Sequence, residues 1–175
     1  PEQAEEFYQR ALRLGERIFG PKHPKVADAL NGLGRSCFAL GRCADAELLL
    51  KRALAIRTAT LGNGHPDVAA SLNDLAALYT DQARYQEAEP LYREAIAIAQ
   101  SKLGREHTQV GDTLGNLAWM YLEQGRLAEA QPLMQQAFAI QTRVLPADHI
   151  HLASLQNNLA VSCFRARMHD KAAEL

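Results

Sequence analysis

The stretch from His65 to Gly104, HPDVAASLNDLAALYTDQARYQEAEPLYREAIAIAQSKLG, carries two successive apolar stripes. In its first half Val68, Leu72, Leu75, Ala76 and Tyr79 recur at intervals of three and four, and in its second half Ala88, Leu91, Tyr92, Ala95, Ile96 and Ile98 do the same. That period places each set on one face of an α-helix. Alternation of apolar and polar residues never persists and β-branched residues are sparse, so strands are not expected. The stretch reads as a helical pair.

The pair is repeated without insertion or deletion. His23, His65, His107 and His149 each stand 42 residues beyond the one before, and so do the members of three further rows: Ala11, Ala53, Ala95 and Ala137; Leu33, Leu75, Leu117 and Leu159; Ala46, Ala88, Ala130 and Ala172. A repeat of this length is one supersecondary unit that buries its apolar face only against its neighbours. Turns fall where helices must stop. Gly41 and Gly125 follow first helices, Gly62 and Gly104 follow second helices, and Pro24 and Pro66 stand where a helix begins. Nine helices are predicted, over about 2–19, 24–40, 43–61, 66–82, 85–103, 108–124, 127–145 and 150–166, with a cut one from 169. Pro90 and Pro132 lie about one turn inside second helices, where each removes a backbone donor and a mild kink is expected. Connections this short force neighbouring helices to run antiparallel. The expected fold is all-α, a right-handed superhelical solenoid of stacked antiparallel helix pairs. One array is expected over 1–175: a second helix at 2–19, then repeats at about 23–61, 65–103, 107–145 and a truncated 149–175.

Composition narrows the function. With 19 basic and 20 acidic side chains the formal charge is −1, so no long-range field draws the chain to phosphate backbones or anionic lipid. Nucleic acid and membrane partners are not expected. No charged leader runs into an apolar segment, and no apolar run reaches the ~18 residues of a membrane span. Cys37, Cys43 and Cys163 form no C-x-x-C pair and are too few for a disulfide framework, which fits a reducing cytoplasm. The chain opens and stops inside second helices, so the native N-terminus is expected to lie further upstream. No phosphate loop, H-E-x-x-H, G-x-S-x-G or dinucleotide fingerprint occurs, and no catalytic residue or cofactor is expected.

The histidine row invites a zinc reading, which the geometry of a stack rejects. Ligand nitrogens lie ~2.0–2.1 Å from zinc and therefore close together, whereas equivalent residues of successive units are separated by at least a helix spacing of ~8–10 Å. His23, His65, His107 and His149 are expected instead to close the turn into the next helix, by packing or by bonding a free backbone group. His151 and His169 stand outside the row and have no metal-ligand spacing.

The residues also match a known pattern. W-x2-L-G-x2-Y followed by A-x3-F appears as Leu30-x2-Leu33-Gly34-x2-Cys37 with Ala46-x3-Leu50, as Leu72-x2-Leu75-Ala76-x2-Tyr79 with Ala88-x3-Tyr92, and as Leu114-x2-Leu117-Ala118-x2-Tyr121 with Ala130-x3-Met134. A weaker version holds Gln156, Leu159, Ala160 and Cys163. The chain thus resembles the tetratricopeptide repeats, and its 42-residue unit with the wording LG-x-x-HPDVA-x-SLN-x-LA is similar to the kinesin-light-chain type. The resemblance implies that first helices line a concave side and second helices form the outer wall.

On that implied concave face the first two units offer Asp28, Asn31, Arg35 and Phe38, then Asn73, Asp74, Ala77 and Asp81; the next two offer Asp112, Asn116, Trp119 and Glu123, then Asn157, Asn158, Val161 and Arg165. Mid-helix asparagine is a poor helix former, and its amide offers both a donor and an acceptor to the main chain of an extended peptide. The resemblance gives Asn31, Asn73, Asn116, Asn157 and Asn158 that role; bonding to a neighbouring repeat is the alternative. Trp119 either anchors a ligand side chain or packs against the next unit. Five carboxylates oppose two guanidinium groups on this face, so a neutral to basic protein or peptide partner is expected. Asp28 and Asp112 could instead complement helix N-termini. The expected function is a protein-interaction scaffold. The alternatives are a regulatory arm of a larger signalling protein or enzyme, and self-association through open repeat ends.

Overall fold

The computed structural model describes residues 2–144 together with Ala160 and Phe164. Seven α-helices account for nearly all of them: α1 (Glu2–Phe19), α2 (Pro24–Ala39), α3 (Cys43–Leu61), α4 (Pro66–Asp81), α5 (Tyr85–Leu103), α6 (Thr108–Glu123) and α7 (Leu127–Val144). Their ends fall within a residue of those read from the apolar stripes. The predicted helices over 150–166 and from 169, with His149, His151, Cys163 and His169, lie outside the described residues. Contacts divide the chain into two compact units, 1–98 and 99–175, with the division inside α5.

In the first unit the repeat is visible as one core built twice. Val26, Ala27 and Leu30 of α2 pack with Ala53 and Ile56 of α3, flanked by Leu12 and Leu49. One repeat later Val68, Ala69 and Leu72 of α4 pack with Ala95 of α5, flanked by Leu54, Leu91 and Ile98. The members correspond at a spacing of 42, Ile56 with Ile98 included. Helix α4 packs on both α3 and α2, so first helices of successive repeats are neighbours here. Where α1 crosses α2 the approach is close enough to require glycine, since a Cβ at Gly32 would enter the Tyr8 ring.

In the second unit α6 and α7 pack as a pair. Val110, Leu114, Leu117 and Tyr121 of α6 and Met134, Ala137 and Ile140 of α7 are buried. Gly111 lets α7 in: a Cβ there would sit 3.2 Å from Ile140 and 3.1 Å from the Gln141 amide. Pro90 and Pro132 lie inside α5 and α7, which continue past them.

The helix ends explain the histidine row. His23, His65 and His107 are N-caps, and the Nδ1 of each accepts the backbone N–H of Lys25, Asp67 and Gln109 at 3.2, 3.1 and 3.2 Å. Each imidazole thereby satisfies one of the donors that a helix start leaves open. Gly20, Gly62 and Gly104 precede these caps at φ +83°, +83° and +93°. After the first helices Gly41 and Gly125 take φ +76° and +72°, and at the same place in the middle repeat stands Ala83, a non-glycine held at φ +56°.

Candidate functional site

In the first unit, α2 brings Asp28, Asn31, Arg35 and Phe38 to one side, and α4 brings Asn73, Asp74, Ala77 and Asp81. Asn31 is 9% exposed and donates through Nδ2 to Asp74 Oδ2 at 2.5 Å, linking the two first helices. Burial raises the Asp74 carboxyl above its usual range, against the hydrogen bond from Asn31 and the charges of Arg35 and Arg57. Asn31 Oδ1 is buried without a hydrogen-bond partner among the described residues. Beside it lies an open depression of ≈550 Å³ lined by Tyr8, Asp28, Asn31, Arg35, Ser36 and Arg57. Arg35 is exposed at its edge, Phe38 is half-buried, and Asp81 is exposed at the last residue of α4.

Sequence reading missed Arg57, which reaches this face from a second helix. It is 7% exposed and donates to Asp28 Oδ1 at 2.8 Å, to Ser71 Oγ at 2.7 Å and to the Asp67 carbonyl at 3.0 Å. A buried guanidinium needs such company, because desolvation of an unpaired cation is costly. Asp28 is therefore ion-paired across its own repeat. In the second unit Gln141 stands two repeats beyond Arg57 and donates through Nε2 to Asp112 Oδ1 at 2.6 Å, as Asp112 stands two repeats beyond Asp28. The middle repeat has Ala70 and Ala99 at these places. The 84-residue correspondence of both partners was the available signal.

On α6, Asp112 and Glu123 are exposed, Asn116 is half-buried, and Trp119 is 38% exposed. No lysine or arginine occurs on this helix. Asn73, Asn116 and Asp112 each have interactions within the protein. Asn157, Asn158, Val161 and Arg165 lie outside the described residues.

A second cluster also escaped the sequence reading. Glu47 of α3 accepts from Arg84 Nη1 at 2.7 Å, from Lys51 Nζ at 2.6 Å and from the Tyr79 hydroxyl at 3.0 Å. These donors, Arg84 first and Lys51 next, pull its carboxyl down to about 2. Arg84 lies over the Tyr79 ring at 3.9 Å. One repeat earlier Arg42 pairs with Glu5 at 2.6 Å and donates to Cys37 Sγ at 3.3 Å, so a thiol takes the aromatic place. Burial pushes that thiol up. These contacts join consecutive repeats within the first unit. Among the described residues no group of three or more His, Cys, Asp or Glu side chains could hold a metal ion, and no helix is long and apolar enough to cross a membrane.

This arrangement of capped helix pairs has known counterparts. The solved structure of the nearly identical TPR-like repeats of a protein assigned as a kinesin light chain in Podosopora anserina is similar over 99% of this chain and 82% of its own, with 28% identity and a TM-score of 0.72. BtubC (BKLC) from P. vanneervenii shares the fold at a TM-score of 0.80 with 22% identity, over 99% of this chain and 69% of its own. No curated protein matches the sequence. The tetratricopeptide repeat model matches residues 1–59, 49–101, 67–143 and 113–175. With those matches spanning the sequence, the chain belongs to the tetratricopeptide repeat family, whose repeats generally mediate protein–protein interaction.

Proposed function

We propose that this chain is a non-catalytic scaffold that holds an extended peptide or protein segment along the polar face of its first helices. The observation that carries the reading is Asn31: a buried amide whose Oδ1 has no partner among the described residues stands beside an open depression. A buried acceptor without a donor costs free energy, and Asn31 is one of the residues that line the depression in which a segment would lie. Asn73 stands on α4 at the place that Asn31 holds on α2, and Asn116 stands on α6 at the place that Asp74 holds on α4. The unbroken 42-residue register supports treating both units as one array.

The partner segment is neutral to basic. With Asp28 neutralised by Arg57, the first helices of the first unit present Asp74 and Asp81 beside Arg35, and α6 of the second unit presents Asp112 and Glu123 with no lysine or arginine of its own. Nucleic acid and membranes are not the partners of a face with this balance, and no cofactor is needed. Free thiols at Cys37 and Cys43 fit a cytoplasmic setting.

The test is retention of peptides from a library of N-acetylated, C-amidated decapeptides on the immobilised chain. Replacing both Asn73 and Asn116 by Leu should abolish retention while the variant stays folded, with helix content close to wild type. Undiminished retention by that variant would reject the asparagine face as the binding surface.

A second reading, self-association, is favoured by α1, which exposes Phe7 at 66% and Leu14 at 48%. Their counterparts one repeat later, Leu49 and Ile56, belong to a core. A mass that rises with concentration in sedimentation, and returns to monomer in Phe7→Ser/Leu14→Ser, would support it.

A further inference from the structure

We infer that α6 carries a subsite for a basic side chain of the bound segment, an arginine stacked on the Trp119 indole with its guanidinium held by Glu123. The inference rests on the scaffold reading above and adds side-chain selectivity to it.

Packing among the described residues does not account for Trp119. Its neighbours in sequence, Ala118, Met120, Tyr121 and Leu122, are at most 2% exposed, and Leu114 and Leu117 are at most 3% exposed, yet Trp119 is 38% exposed. The equivalent places one and two repeats earlier hold Ala77 and Arg35, so the fold does not require a large apolar group there. Among the exposed large apolar side chains it is the one carried by α2, α4 or α6.

Its surroundings are acidic. Glu123 follows at i+4 and Asp112 precedes at i−7, both exposed and on the same helical face. Gln141, a neutral donor, bonds Asp112 without cancelling its charge. Glu123 has no hydrogen-bond or ion-pair partner among the described residues. It is also the last residue of α6, where a negative charge opposes the helix dipole, so it does not serve the stability of its own helix. A large π-face beside an unpaired carboxylate favours a planar cation, which stacks on the one and bonds the other.

The test uses two fluorescein-labelled decapeptides of serine and alanine, one with a single central arginine and one with citrulline, its neutral isostere. Binding is followed by anisotropy and by the emission of Trp119, the only tryptophan in the chain. The arginine peptide should bind about fivefold or more tightly than the citrulline peptide and change the Trp119 emission. Glu123→Gln should erase the preference with no loss of melting temperature, and Trp119→Leu should weaken the arginine peptide alone. Equal affinity for the two peptides would overturn the subsite and leave the main-chain grip standing. Failure of both to bind would overturn both.

Discussion

Arg84 donates to Glu47 at 2.7 Å and lies over the Tyr79 ring, 3.9 Å from its centroid, so the turn after α4 is fastened to α3 of the preceding repeat. Lys51 and the Tyr79 hydroxyl complete the shell of Glu47. Its carboxyl is depressed from 4.5 to about 2, so the folded state holds fewer protons than the unfolded chain between those values. The stabilisation is therefore fully present above about 4.5 and is lost as pH falls toward about 2. Glu47→Gln should cost about 1–2 kcal/mol at pH 7 and flatten the acid limb of the stability curve, measured by urea unfolding from pH 7 to 2.5.

The three histidine caps make a cheaper comparison. His65→Ala should lower stability by about 1 kcal/mol because the Asp67 N–H loses its acceptor, and His65→Asn should restore most of it, since asparagine is itself a strong N-cap. His107→Ala should behave alike through Gln109. Thermal unfolding of the paired variants reads the difference.

The fold was legible because the repeats state it again: apolar phase and histidine start agree at a spacing of 42, with glycine stops at 20, 41, 62, 104 and 125. The site was legible only on the helices that carry it. The sequence places Asp28 and Asp112 among the charges of the polar face or at helix N-termini, whereas Arg57 and Gln141 reach them from α3 and α7. A helical wheel shows which residues share a face but not which long side chain crosses from a neighbouring helix. Asn31 likewise disclosed its polarity and its place, and only packing supplied Asp74 as its partner.

Ala83 sits in the left-handed region at φ +56°, where Gly41 and Gly125 stand in the flanking repeats. A Cβ there costs about 1–2 kcal/mol, offset in part because glycine has more freedom to lose on folding. Ala83→Gly should therefore stabilise the chain by about 0.5–1 kcal/mol, and Gly41→Ala should destabilise it by a similar amount. Melting temperatures moving in the same direction for both would contradict this account of the turn.

The Asn31 to Asp74 hydrogen bond can be separated from the burial around it. Asn31→Leu leaves the Asp74 carboxyl enclosed without its 2.5 Å donor, which should cost about 1–3 kcal/mol. Asp74→Leu alone strands the Asn31 amide at a similar cost. The double variant removes both polar groups and replaces them with apolar ones, so its loss should be smaller than the sum of the two single losses by about 1 kcal/mol or more. Strict additivity in urea unfolding would mean that the link between the two first helices contributes nothing of its own, and that the asparagine is retained there for what it offers a partner.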